Sequence, residues 1–223
     1  MANNIEITLD DLNLKQHPLE PHQYIKQSSP KKQIYLHHTV GGPTGERTID
    51  IWANDRARVG TAVCISRDGS IVQAFSSLYW AYHLGLKESV FDSKGLPYVS
   101  LDKISIGIEL CSYGPLEPSG SRFKSIYGNY INADEVCTLD EEYRGSKFWH
   151  KYTDEQIESV RKLLLFWSKT YNIPLDYSED VWDVTMRALM AEPGVYTHNS
   201  VRYDKADIYP DPRIIEMWKG LTE

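Results

Sequence analysis

Residues 197–210 read Thr-His-Asn-Ser-Val-Arg-Tyr-Asp-Lys-Ala-Asp-Ile-Tyr-Pro, holding one imidazole (His198) and then a cation and a carboxylate two positions apart, Lys205 and Asp207. A histidine and a carboxylate make half of a nitrogen/oxygen zinc site, and an ammonium beside a metal suits a developing oxyanion. The set needs a second imidazole and a proton acceptor. In the run Gln33-Ile-Tyr-Leu-His37, Ile34 and Leu36 point one way and Tyr35 and His37 the other, so His37 leaves the apolar side while His38 turns back toward it. His37 is favoured over His38 on that alternation. Glu109, inside Ile106-Gly-Ile-Glu-Leu110, is a carboxylate on a strand otherwise built for burial. Its plain explanation is an ion pair with a lysine or arginine. Its chemical explanation is a general base, with Ser105 and Gly107 on the same face leaving floor space for a ligand and burial raising its pKa. His37, His198 and Asp207 then give three metal ligands and one open position. Asp204 and Asp211 rival Asp207, and a Cys111 thiolate stays open as a ligand.

These groups need rigid carriers. Residues 33–37 predict a strand, and Ile104 to Leu110 alternates cleanly enough to predict another. Residues 61–66 and 70–75 flank Asp68-Gly69, a strong hairpin signal. Gly41 to Gly45 predicts a loop, followed by a helix from Thr48 to about Arg58 capped by Thr48, with Ile49, Ile51 and Trp52 as its apolar contacts. Trp80-Ala-Tyr-His83-Leu-Gly reads as loop. Thr153-Asp-Glu-Gln156 is a capping box, opening a helix whose stripe is Ile157, Val160, Leu163, Leu164 and Trp167. A short helix is expected within residues 179–190, and Asp211-Pro212 opens a last one. Residues 115–152, aromatic, charged and turn-rich, read as an insertion holding an extra hairpin. Residues 1–30, with three prolines, read as an arm or linker, leaving 31–223 as one domain. Early strands with interleaved and late helices predict an α/β fold, a central mixed sheet flanked by helices.

Bulk properties narrow the field. The chain of 223 residues suits one sizeable domain, and its net charge of −7 argues against nucleic acid or an anionic membrane surface as partner. Three scattered cysteines make no disulfide framework. The first residues lack the basic and apolar regions of a signal peptide, and no apolar run spans a bilayer. The expectation is synthesis in the cytoplasm without membrane insertion.

Five motifs in one order carry a resemblance: the strand ending His37-His-Thr, Arg67-Asp-Gly before Trp80-Ala-Tyr-His83-Leu-Gly, Ile106-Gly-Ile-Glu-Leu110, Tyr152-Thr-Asp-Glu-Gln156, and His198 with Lys205-Ala-Asp207. Over about residues 33–218 the chain resembles the type 2 N-acetylmuramoyl-L-alanine amidases, a group that includes AmpD-like enzymes, many phage lysins and the peptidoglycan recognition proteins. The resemblance implies one bound zinc and hydrolysis of the amide joining the lactyl group of N-acetylmuramic acid to L-alanine in peptidoglycan or a muropeptide. It matches His37, His198 and Asp207 to the zinc ligands, Glu109 to the catalytic acid/base and Lys205 to the oxyanion stabiliser. His83 matches a groove-lining histidine, and Trp80 of the same motif is grouped with it as substrate-binding. Thr61-Ala62 stands where some members use a tyrosine, which is consistent with Glu109 as the base. Three departures mark this chain: a 198–207 loop shorter by one residue, Ile-Tyr-Pro after Asp207 in place of Pro-Gly, and the insertion. The preferred role is a phage or prophage endolysin acting on the wall after release. A cytoplasmic muropeptide-recycling amidase and a non-catalytic peptidoglycan-binding module are the alternatives.

Overall fold

The computed structural model describes residues 7–222, so the first six residues of the expected arm, on which the expectation of no signal peptide falls, lie outside them. In chain order the elements are β1 (Lys15–Gln16), β2 (Gln33–His38), α1 (Gly45–Ala53), β3 (Val63–Ile65), β4 (Ile71–Gln73), α2 (Glu88–Asp92), α3 (Leu101–Ile104) and β5 (Ser105–Leu110). There follow β6 (Pro115–Ser119), β7 (Arg122–Ser125), β8 (Tyr130–Ile131), β9 (Val136–Tyr143) and β10 (Ser146–His150). The chain closes with α4 (Asp154–Tyr171), α5 (Met186–Leu189), β11 (Gly194–Thr197) and α6 (Pro212–Lys219).

A six-stranded sheet runs β1-β4-β3-β5-β2-β11, antiparallel between β3 and β4 and parallel elsewhere. Register fixes its two faces. Leu36, Ile108 and Val63 align across three strands, while His37, Glu109 and Cys64 align one step along, on the opposite face. The first face is sealed by α4, whose Val160, Leu163, Leu164 and Trp167 are all buried. The second is covered by α1 over the β3–β4 half, where a Cβ on Gly45 would lie 2.8 Å from the Cys64 carbonyl oxygen. Only glycine lets the helix start so close to the sheet. Over β5 and β2 that face opens only at the carboxyl ends of the parallel strands, around His37 and Glu109, where α/β folds hold ligands.

Helix α4 forms as its sequence dictates: Thr153 accepts from Gln156 N–H, the Gln156 side chain returns the bond, and Asn172 closes the helix in a left-handed conformation. Helix α1 differs from expectation. Its N-cap is Thr44, so Thr48 lies inside the helix, bonded back to the Thr44 carbonyl, and Ile51 is 61% exposed. The buried Gly45 N–H is satisfied by Ser66 Oγ at 2.9 Å, a tertiary cap that the local sequence does not contain. Strands β1 and β11 were not foreseen. The first is a two-residue edge strand, and Gly194-Val-Tyr-Thr is too short to display a period.

Residues 115–150 fold into far more than one hairpin. They make a second, antiparallel sheet ordered β8-β7-β6-β10-β9. It docks through Trp149, which is fully buried and stacks on Tyr209 at 4.9 Å, and through Tyr143, whose hydroxyl donates to the Trp182 carbonyl. Residues 7–30 pack along the domain, with Leu12 and Leu19 buried and Ile25 bridged to Trp80.

Candidate metal centre and active site

Three neighbouring strands deliver the chemistry to one end of the sheet. His37 is next to last in β2, Glu109 lies directly opposite it in β5, and His198 follows the last residue of β11. Asp207 comes from the loop beyond. That loop is pinned at several points: the His38 N–H donates to the Asp207 carbonyl at 2.6 Å, Asn199 Nδ2 donates to the Ile208 carbonyl at 2.9 Å, and Ile208 and Tyr209 are fully buried. The Ile-Tyr-Pro that replaces Pro-Gly is therefore an apolar anchor for the loop.

His37 Nδ1, His198 Nδ1 and Asp207 Oδ2 converge: 3.1 Å between the two nitrogens, 3.1 Å from His37 to the carboxylate and 2.6 Å from His198 to it. Among the described residues these three form a group able to hold a metal ion. Donors held at 2.0–2.1 Å by one tetrahedral ion lie about 3.3 Å apart, close to the two 3.1 Å separations from His37, while His198 and Asp207 stand nearer to each other than that. Each imidazole uses its other nitrogen elsewhere, His37 Nε2 with His83 Nδ1 at 3.0 Å and His198 Nε2 with the Leu84 carbonyl at 3.0 Å. Asp207 Oδ1 is buried without a hydrogen-bond partner. Two imidazoles and an under-satisfied carboxylate form a donor set that fits zinc.

Electrostatics agree with that donor set. Burial pulls the His37 pKa down to about 4, against the opposing pull of the Asp207 carboxylate, so at neutral pH the ring is neutral with a lone pair to give. Burial works against the Asp207 charge, but the two imidazoles set against it, His198 first and then His37, outweigh burial and hold the carboxyl well below its ordinary range. Glu109 moves the other way. Burial, then the Asp207 charge, lifts its pKa well above 4.5, and Lys205 offsets this only in part. Its Oε2 is buried and unpartnered, which does not fit the ion-pair explanation.

The cleft over this cluster holds about 460 Å³. His37, His83, Glu109, His198, Lys205 and Asp207 line it, with Thr61 and Val59 on one side and Ile126 and Tyr127 of the inserted sheet on another. Asp204 is not part of the cluster but pairs with Arg202, and the buried Asp211 caps α6 and pairs with Arg213. Cys111 sits 3.6 Å from Cys64, against Thr48 and under α1. His38 turns to the other face as the alternation requires, its Nδ1 2.8 Å from the Tyr152 hydroxyl, although its edge reaches the cleft.

Two expectations need correcting. Ser105 and Gly107 do not leave floor for a ligand, because His83 fills that space. It bonds Ser105 Oγ at 2.9 Å, and a Cβ on Gly107 would meet Thr61 Cγ2 at 2.4 Å and His83 Nδ1 at 3.1 Å. Trp80 is not among the cleft residues. It packs edge-on against Tyr82 at 5.7 Å and its backbone bonds Ile25, so it anchors the N-terminal segment. Sequence reasoning gave Ser105 only as open floor and did not single out Asp102, which bonds the His83 backbone, or Tyr127, which lines the cleft. Only Ser105 carried a signal, by sharing a strand face with Glu109.

The sequence profile of the N-acetylmuramoyl-L-alanine amidases matches residues 27–212. The chain belongs to that family. As an amidase it is also similar in structure to the Staphylococcus aureus hydrolase AmiA solved with its ligand, at 11% identity over 92% of this chain and 81% of that one, with a TM-score of 0.52. A point mutant of PlyL matches at 15% identity over 92% and 98% of the two chains, with a TM-score of 0.50. At such identities the likeness speaks to the fold, and the amidase shares it. Curated proteins give no match. Among the described residues of the amidase no helix is long and apolar enough to cross a membrane.

Proposed function

We propose that this amidase is a zinc enzyme hydrolysing the amide between the lactyl group of N-acetylmuramic acid and L-alanine, and that it serves as a phage or prophage endolysin. The supporting observation is the convergence of His37 Nδ1, His198 Nδ1 and Asp207 Oδ2 in a cleft that also holds Glu109, whose Oε2 is buried and unpaired. Zinc held by those three groups would polarise the amide carbonyl and lower the pKa of a water molecule to roughly 7.

The remaining steps belong to the chain itself. Glu109, across the β2–β5 pairing from His37, takes the proton from the attacking water and later returns it to the leaving L-alanine nitrogen. Its raised pKa suits it to hold that proton near neutral pH. Lys205 lines the cleft and is the cation to steady the oxyanion, a type of contribution worth about 3 kcal/mol per donor. Ile126 and Tyr127, 64% and 71% exposed on the rim, present an apolar surface beside the reacting bond.

The test is a digest. Zinc-loaded protein is incubated with intact sacculi and, separately, with soluble muropeptides, and the products are analysed by mass spectrometry. Free L-alanine amino termini on an intact glycan, formed faster from sacculi, are the expected result. Cleavage within the glycan would overturn the reaction, a preference for soluble fragments would replace the endolysin role with recycling, and binding without cleavage would leave a recognition module.

A further inference from the structure

The two imidazoles of the metal cluster are held by a single dipeptide. We propose that His83-Leu84, fastened by Asp102, is the clamp that sets His37 and His198 in the tautomer with Nδ1 free. His83 and Asp102 are then positioning residues for the metal. This rests on the reading of His37, His198 and Asp207 as its ligands.

The proton directions follow from a chain that ends on a group with no hydrogen to give. Ser105 Oγ lies 2.7 Å from the Leu101 carbonyl, which can only accept, so the hydroxyl proton points there. Ser105 Oγ must then accept from His83 Nε2–H at 2.9 Å. A neutral His83 carrying its proton on Nε2 has a bare Nδ1, which accepts from His37 Nε2–H at 3.0 Å. That leaves the His37 Nδ1 lone pair pointing into the cluster. His198 is set in one step, since its Nε2–H donates to the Leu84 carbonyl at 3.0 Å.

The clamp is itself tied down. One oxygen, Asp102 Oδ1, accepts from both the His83 N–H at 2.8 Å and the Leu84 N–H at 2.9 Å. Asp102 is buried, and burial raises its pKa while those two backbone bonds oppose the rise. The His83 ring rests in the space that Gly107 leaves by having no side chain. Partners of this kind orient metal-binding histidines and raise their basicity. The His83 ring, expected to touch substrate, is almost wholly buried, and both its nitrogens are committed to protein.

The experiment measures zinc affinity by chelator competition and histidine ring protonation by 15N NMR on the zinc-loaded protein. In the wild type both His37 and His198 should carry the proton on Nε2. Protons on Nδ1 instead would overturn the clamp without recourse to any variant. His83→Phe, which keeps a ring but has no acceptor, should weaken zinc binding about 10- to 100-fold. His83→Asn restores an acceptor where Nδ1 stands and should recover most of that loss. Equal affinity in wild type and His83→Phe, with folding verified by circular dichroism, would overturn the inference while the amidase reading stands. A wild-type protein that takes up no zinc would remove both.

Discussion

The two sheets of this amidase do different work. Every residue of β2 is buried, and its neighbour β5 is buried except at Glu109, because helices or loops cover both faces. Strands β6 to β9 of the inserted sheet alternate or stay largely exposed, with one face in water. The groups that must meet within fractions of an ångström come from the ends of the covered sheet and the loop pinned to it. The exposed apolar groups that only line the cleft, Ile126 and Tyr127, come from the solvated one. A catalytic constellation needs rigid support on all sides, whereas a wall residue can shift without moving the cluster. Position in one sheet or the other should therefore decide the size of a mutational effect.

The largest effect should come from the cluster. Asp207→Ala, or chelation of the wild type, should lower hydrolysis below detection. Added zinc should revive only the chelated wild type; if it also revived Asp207→Ala, that carboxylate would lose its role as ligand. Glu109→Gln comes next. It should bind zinc as the parent does and melt no earlier, yet turn over about 10²- to 10⁴-fold more slowly. Parental digestion of cell walls by this variant would remove Glu109 as the base.

An intermediate effect belongs to the inserted sheet and is one of stability. Burial, aided by Arg67 and His38, drives the His150 pKa down to about 3 from 6.5, and its Nδ1 accepts from the Tyr113 N–H at 3.0 Å. Between those pH values the unfolded chain holds a proton that the folded chain refuses. Stability from this group is whole above pH 6.5 and drains away as pH falls toward 3, by at most about 5 kcal/mol. His150→Asn, which retains an acceptor, should flatten that slope in urea titrations at stepped pH, and an unchanged slope would place the proton elsewhere. The smallest effect is on the rim. Tyr127→Ala should raise KM for sacculi several-fold, about 1 kcal/mol, and leave kcat alone. A large fall in kcat would give the inserted sheet a part in the chemistry.

What was legible in the sequence follows the same division. The alternation in residues 33–38 and 104–110 separated His37 from His38 and put Glu109 on the His37 side, because register in a doubly covered sheet depends on side-chain period. The capping box at Thr153 and the apolar stripe of α4 are local signals, and both elements form as read. The inserted sheet was not legible. Its strands are short and partly polar, and its docking relies on Trp149 stacking on Tyr209, a contact across 60 positions. Asp102 carried no mark of its task, since it serves backbone groups of residues 83 and 84 that only the fold brings near. Ser105 and Gly107 were rightly seen as small, but the guest in the space they leave is a side chain of the protein itself.

The inserted sheet leaves the domain where it enters. The Ser112 hydroxyl donates to the His150 carbonyl at 3.2 Å, the His150 N–H donates to the Gly114 carbonyl at 2.9 Å, and Leu116 faces Phe148 in register. Paired strands run only about 5 Å apart, so the β7–β8 excursion, with Ile126 and Tyr127 on its turn, hangs from strands moored twice, by Trp149 on Tyr209 and by Tyr143 on the Trp182 carbonyl. The doorway and these two moorings are the fixed chassis, and the tip that forms one groove wall is the part that can be redrawn.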